Sequence, residues 1–172
     1  MTYKGFSLAA AVLLAAMITT QAAAQSCTGN NCQVTNTASV TVATVMRLTL
    51  DAGTTTLTSP AQAAFDAGFQ DDPGPTASVK SNRPWNLTIA AQAAAWTGTG
   101  GARPDKGAAD LQWKQGAGSY ASLSTSASNV FTSTQNAAGN GSAVMLYRTV
   151  WSYAADVPGN YSLVVVYTLT AP

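Results

Sequence analysis

The stretch that decides the fold is Asn160-Tyr161-Ser162-Leu163-Val164-Val165-Val166-Tyr167-Thr168-Leu169-Thr170. Tyr161, Leu163, Val165, Tyr167 and Leu169 share one face of an extended chain. Ser162, Val164, Val166, Thr168 and Thr170 share the other. A period of two with β-branched and aromatic residues is the pattern of a half-buried strand, because successive side chains point to opposite faces. Pro158-Gly159 just before it marks a turn. Working outward, Ser142 to Tyr153 (SAVMLYRTVWSY) repeats the pattern, with Val144, Leu146 and Val150 opposite Met145, Tyr147 and Trp151. The connection 154–160 has the composition of a hairpin between these two strands. Ala38 to Leu50 (ASVTVATVMRLTL) reads as a third long strand, with Val40, Val42, Met46, Leu48 and Leu50 on one face and Thr41, Ala43, Arg47 and Thr49 on the other.

Shorter strand candidates fill the interval: 54–58, 76–81, 85–90, 94–97, 111–114 and 120–124. Only Pro60–Gly68 (PAQAAFDAG) suggests helix, of one or two turns. Gly-rich punctuation at 98–101, 116–118 and 139–141 spaces the strands as in a two-sheet protein. Eight to ten strands without helical repeats predict one all-β domain, an antiparallel β-sandwich of immunoglobulin-like or Greek-key type, over residues 26–172.

Residues 1–25 have the pattern of a cleaved export signal. Lys4 supplies the positive end, Phe6 to Ile18 an apolar run too short to span a bilayer, and Ala22-Ala23-Ala24 the small residues before a cut. The expected destination is extracellular or cell-surface, with the periplasm as alternative, and no membrane span is expected once the signal is gone. Cys27 and Cys32, separated by Thr28-Gly29-Asn30-Asn31, are expected to form a disulfide, since such bonds persist in oxidising compartments. They lack the C-x-x-C spacing of redox catalysis and the further ligands of a zinc site.

Composition excludes much chemistry. The chain of 172 residues is 47% hydrophobic and only 9% charged, with Lys+Arg 8, Asp+Glu 7 and no His. Lys4 lies in the signal, so the remainder is formally neutral, which argues against a nucleic-acid partner, whose affinity comes from clustered Lys and Arg. All seven acids are Asp: 51, 66, 71, 72, 105, 110 and 156. Without His there is no Ser–His–Asp or Cys–His catalysis and no imidazole metal site. Asp51-Ala52-Gly53 and Asp66-Ala67-Gly68 lack the hydroxyl that supports an aspartic-protease loop. Asp71-Asp72-Pro73-Gly74 lacks the alternating ligands of a calcium loop and reads as a turn. No catalytic group, metal or cofactor is expected. A hydrolase would need two of these Asp to converge in a cleft.

Aromatic residues are the remaining lead. Trp85 and Trp151 read as core. Trp96 and Trp113 flank a loop carrying Arg103, Asp105 and Lys106, and with Tyr120 they form a candidate surface for stacking on sugar rings or anchoring a partner.

Two segments carry a resemblance. Pro158–Leu169 (PGNYSLVVVYTL) resembles the C-terminal strand of spore-coat-U and other fimbrial-subunit-like domains. Arg83-Pro84-Trp85-Asn86-Leu87-Thr88 looks like the Trp-x-Leu motif of cell-wall-associated surface proteins. The resemblance implies an exported bacterial β-sandwich. Low charge and Thr/Ser-rich outward faces favour a non-enzymatic structural or adhesive role, with a second copy, other surface proteins or glycans as the expected partners. The alternative is a carbohydrate-binding module. A sheet with so few charges lacks the guards that discourage edge-to-edge pairing, so the long strands 38–50 and 161–170 are the expected association edges.

Overall fold

The computed structural model describes residues 26–131 and 136–172. The expected export signal lies outside the described residues. The chain divides between Thr41 and Val42. In the first unit, residues 26–41 form no strand, and Cys27 and Cys32 are joined by a disulfide with Cα atoms 5.7 Å apart.

The second unit is an all-β antiparallel sandwich. Its strands are β1 (Met46–Leu50), β2 (Phe69–Ser81), β3 (Asn86–Ala91), β4 (Thr97–Thr99), β5 (Leu111–Gln115), β6 (Ala121–Ser122), β7 (Ser128–Asn129), β8 (Gly139–Val150), β9 (Asn160–Ser162) and β10 (Val165–Thr170). One sheet runs β1-β2-β8-β5-β6, the second β10-β3-β7, and β4 and β9 form a separate ribbon. Alternation puts Ala77 and Val79 of β2, Met145 and Tyr147 of β8, and Leu111 and Trp113 of β5 into one core with Leu87, Ile89 and Ala91 of β3. Trp85 is also buried there, with Phe131 edge-on against its ring. The one α-helix among the described residues, α1 (Gln62–Ala67), ends at Gly68, whose φ of 80° is the left-handed conformation that stops helices at little cost for glycine.

Several expectations change. The long strand read over 161–170 is broken at residues 163–164 into β9, which pairs with β4, and β10, which pairs with β3, and of 94–97 only Thr97, the first residue of β4, lies in a strand. Strand 38–50 shrinks to Met46–Leu50, because its partner β2 ends at Ser81 opposite Met46 and nothing remains for earlier residues to pair with. Asn82 instead ties down residues 43–45, its side chain accepting from Val45 N–H and donating to Ala43 C=O, and its own N–H donating to Val45 C=O. The hairpin over 154–160 does not form. Both flanks of β8 are already taken, by β2 and β5, so the chain crosses to the second sheet, where β10 pairs with β3. Residues 54–58 adopt no strand, because β2 carries a register shift between Pro73 and Thr76 that bends it away beyond Leu50.

Candidate assembly seam

The edges of the two sheets determine the most unusual surface. β1 ends the first sheet and β10 ends the second, and among the described residues each leaves one side of its backbone without a strand partner. At the Leu50 end of β1, beside β9 and β10, lies an open groove of about 610 Å³. Its walls come from Leu50 of β1, the irregular segment 52–60, and Tyr161, Leu163, Val165 and Tyr167. Tyr147, Leu111, Trp96 and Trp151 contribute from beneath. Alternation explains the lining: the inward faces of β1 and β10 belong to the core but lack a strand to cover them. Met46, Leu48, Leu50, Leu163, Val165, Tyr167 and Leu169 are therefore only half-buried.

Polar groups brace the seam. The Tyr147 and Tyr167 hydroxyls meet at 2.7 Å and link the two sheets. Burial raises both phenol pKa values above the ordinary tyrosine value, and for Tyr167 the neighbouring Tyr147 adds to the effect. Asp51 and Thr76 exchange hydrogen bonds at the end of β1, Thr76 N–H reaching the carboxylate at 2.8 Å and Asp51 N–H the Thr76 carbonyl. These contacts hold the Asp51 carboxyl below its usual range. Thr58 N–H donates to Asp72 Oδ1 at 2.9 Å, which fastens segment 52–60 to β2.

Behind one wall lies a charged cluster that sequence reasoning missed. Lys106 is fully buried, 0% exposed. Its Nζ donates to the Val150 carbonyl at 2.8 Å and to Asp156 Oδ1 at 2.9 Å. It sits 4.2 Å from the centre of the Trp151 ring. Asp110 Oδ2 lies 3.6 Å from the same nitrogen, and Arg103 reaches both carboxylates, at 3.3 Å and 3.7 Å. The only sequence signal was a Lys between two Trp, a position that read as a polar loop.

The expected stacking surface is not assembled. Trp96 and Trp113 are each only 6% exposed, and Trp96 Nε1–H donates to the Gly107 carbonyl. They are core residues because β5 turns Trp113 inward and the 107–110 segment covers Trp96. Tyr120 is half-buried, with the Arg148 guanidinium 4.2 Å and the Lys114 ammonium 4.6 Å from its ring centre. Arg148 alternates with the inward-facing Tyr147 along β8, which puts Tyr120 on the face of the sheet opposite Trp113. Trp151, expected in the core, is half-buried and lines the seam.

Asp110 and Asp156 converge, but on the Lys106 and Arg103 cations that neutralise them, and the other carboxylates described are dispersed among structural roles. Asp71 pairs with Arg148 through two hydrogen bonds, of 2.6 and 2.9 Å, and Arg148 holds its carboxyl below the usual range. Asp72, the next residue along β2, faces the interior, so the two do not form one ligand set. Asp66 accepts from the Tyr153 hydroxyl at 3.0 Å. Among the described residues no group of three or more Asp or Cys is placed to hold a metal ion, and no helix is long and apolar enough to cross a membrane. No protein-family model matches the chain, and no curated protein matches it.

Proposed function

We propose that the protein is an exported, non-enzymatic β-sandwich subunit, structural or adhesive at the cell surface, that assembles by taking a strand from another polypeptide into the seam between β1 and β10. The observation that carries this reading is the open groove at the Leu50 end of β1, beside the edge strand β10 and over a half-buried apolar row. A strand laid there gains backbone hydrogen bonds from an edge and buries alternate side chains, which is how extended segments add to sheets. β10 has no charged residue and β1 a single one, Arg47, so the two edges carry few of the charges that normally repel such pairing.

The occupant we infer is segment 38–45 of a second copy, pairing through residues 38–42 because Asn82 holds the backbone of Ala43 and Val45. Its valines are left in water: Val40 is 86% and Val42 77% exposed, and Val45 is exposed as well. Valines two residues apart present one apolar face in an extended chain, and burying each is worth about 1.5–3 kcal/mol. The resemblance of 158–169 to fimbrial-subunit strands and the disulfide, a bond that oxidising compartments preserve, favour the same reading.

Light scattering on the exported protein over a range of concentrations tests it. Concentration-dependent oligomers are expected, and the double variant Val40→Asp/Val42→Asp should be monomeric with an unchanged thermal midpoint. The groove-side variant Leu163→Arg should be equally unable to add a strand. A wild-type protein that stays strictly monomeric at high concentration, and that binds no added peptide spanning 36–46, overturns the proposal.

A further inference from the structure

The buried cluster behind the seam has a chemistry that assembly does not use. Lys106 Nζ and the Asp156 carboxylate are in contact at 2.9 Å, with the Lys side chain 0% and the Asp side chain 4% exposed. Both are held in place by backbone. The Lys106 carbonyl accepts from Trp96 N–H at 2.8 Å, and Ser152 N–H donates to Asp156 Oδ2 at 2.8 Å. Trp151 covers the amine and Tyr161 lies 5.9 Å from it, so the buried pair is packed beneath two aromatic rings.

We propose that Lys106 and Asp156 condense into an intramolecular amide, a covalent cross-link between the loop that follows β4 and the turn that follows β8. The ammonium gives one proton to Asp156 Oδ1, with which it is already hydrogen-bonded. The freed nitrogen lone pair attacks Cγ of Asp156. Ser152 N–H, already on Oδ2, steadies the negative charge that collects there. The nitrogen sheds a second proton to the Asp110 carboxylate, 3.6 Å away, which returns it to the departing Oδ1. The C–Oδ1 bond breaks, water leaves, and the Nζ–Cγ bond remains. No oxidant or further reactant is required.

Three features favour the product. Reactants held in contact have effective concentrations of about 10⁵–10⁸ M, far above any reached in solution. An ion pair out of water carries a desolvation cost that a neutral amide does not. Arg103 also stays balanced after the reaction, because it keeps Asp110 at 3.3 Å while the Lys–Asp charges disappear together. The amide N–H retains the Val150 carbonyl as its acceptor.

The test is the intact mass of the full protein exported with its own leader, disulfide reduced and N-terminus sequenced. The mass is expected about 18 Da below that of the sequence, the loss of one water. Peptide mapping should place the deficit in a branched peptide joining Lys106 to Asp156. Lys106→Arg keeps the charge and cannot form this amide, so it should return the full sequence mass. Asp110→Asn should fold, by circular dichroism, and cross-link at least ten-fold more slowly. A wild-type mass equal to the sequence, or a deficit mapped elsewhere, overturns the proposal. Cross-linking at an unchanged rate in Asp110→Asn overturns the role given to Asp110.

Discussion

Raising the pH above 10 should loosen the sandwich at the Tyr147–Tyr167 pair, by an amount set by its geometry. In the unfolded chain each phenol loses its proton near pH 10. In the folded protein burial keeps both protonated to higher pH, and each hydroxyl has the other 2.7 Å away. The unfolded state therefore binds fewer protons than the folded state in this range. Stability is fully present below about pH 10 and falls as pH rises, by about 1.4 kcal/mol per pH unit for each tyrosine that stays protonated in the fold. If both do, one unit costs about 3 kcal/mol, a large part of the 5–15 kcal/mol typical of a domain. Urea denaturation followed by tryptophan fluorescence from pH 8 to 11 measures the slope, and phenolate absorbance counts the tyrosines that resist ionisation. Tyr147→Phe/Tyr167→Phe should flatten the slope. Tyr147→Phe alone should cost about 1–2 kcal/mol at neutral pH, because Tyr167 loses its partner. A double variant as alkali-sensitive as the wild type, or six tyrosines that all ionise at the ordinary pKa, would refute the reasoning.

Met145→Ala, at a fully buried position, should cost about 2–5 kcal/mol in urea denaturation with an unchanged dependence on denaturant. Gly159→Ala would set a methyl group 2.5 Å from Ala102 Cα, against backbone that cannot yield like a side chain, and should cost about 1–3 kcal/mol by the same assay. Reducing Cys27–Cys32 should shift the unfolding free energy of the sandwich by less than about 0.5 kcal/mol, since the core draws on no residue before Met46. Arg148→Ala should cost no more than about 1 kcal/mol at neutral pH, because its pair with Asp71 is partly exposed. The Asp71 carboxyl is lowered in the fold, so whatever the pair contributes is present above the ordinary carboxylate range and lost as pH falls, and acid titration of wild type against variant measures it.

Alternation was the legible part of this fold. It separated the two faces of β8, β10 and β3 and placed strand candidates on parts of β2 and β5, because a period of two is local and each of these strands has a covered face. Pairing was not legible. The turn at 154–160 has hairpin composition, but whether β8 has a free flank depends on β2 and β5, which lie far away in sequence. The same limit explains 38–50: Val40 and Val42 have the period of a strand, but β2 ends at Ser81 before it can receive them. Trp96 and Trp113 misled for a related reason. Glycine and charged residues around them read as surface loop, whereas the charges fold inward as the Lys106–Asp156 pair, at a position where only tertiary structure could bury a lysine.

The unused strand pattern at 38–45 and the uncovered seam bear on each other. To fill its own seam, the chain would have to reverse just before Met46 and run back along β1, which takes a turn of at least two residues. Residues 43–45 instead leave β1 without a turn and are held by Asn82, which occupies the backbone groups of Ala43 and Val45. The contacts that deprive Val40 and Val42 of an intramolecular partner therefore also keep them available to a neighbour. The proposed exchange would join unlike surfaces, a segment on one copy to a groove on the next, and so would propagate into a chain of copies unless the rotation between them closes a ring. Asn82→Gly should release residues 43–45, permit the reversal, and shift the protein toward monomers that fill their own seam. Light scattering should show smaller assemblies for this variant than for the wild type. Assemblies of undiminished size would mean that Asn82 does not direct the segment outward.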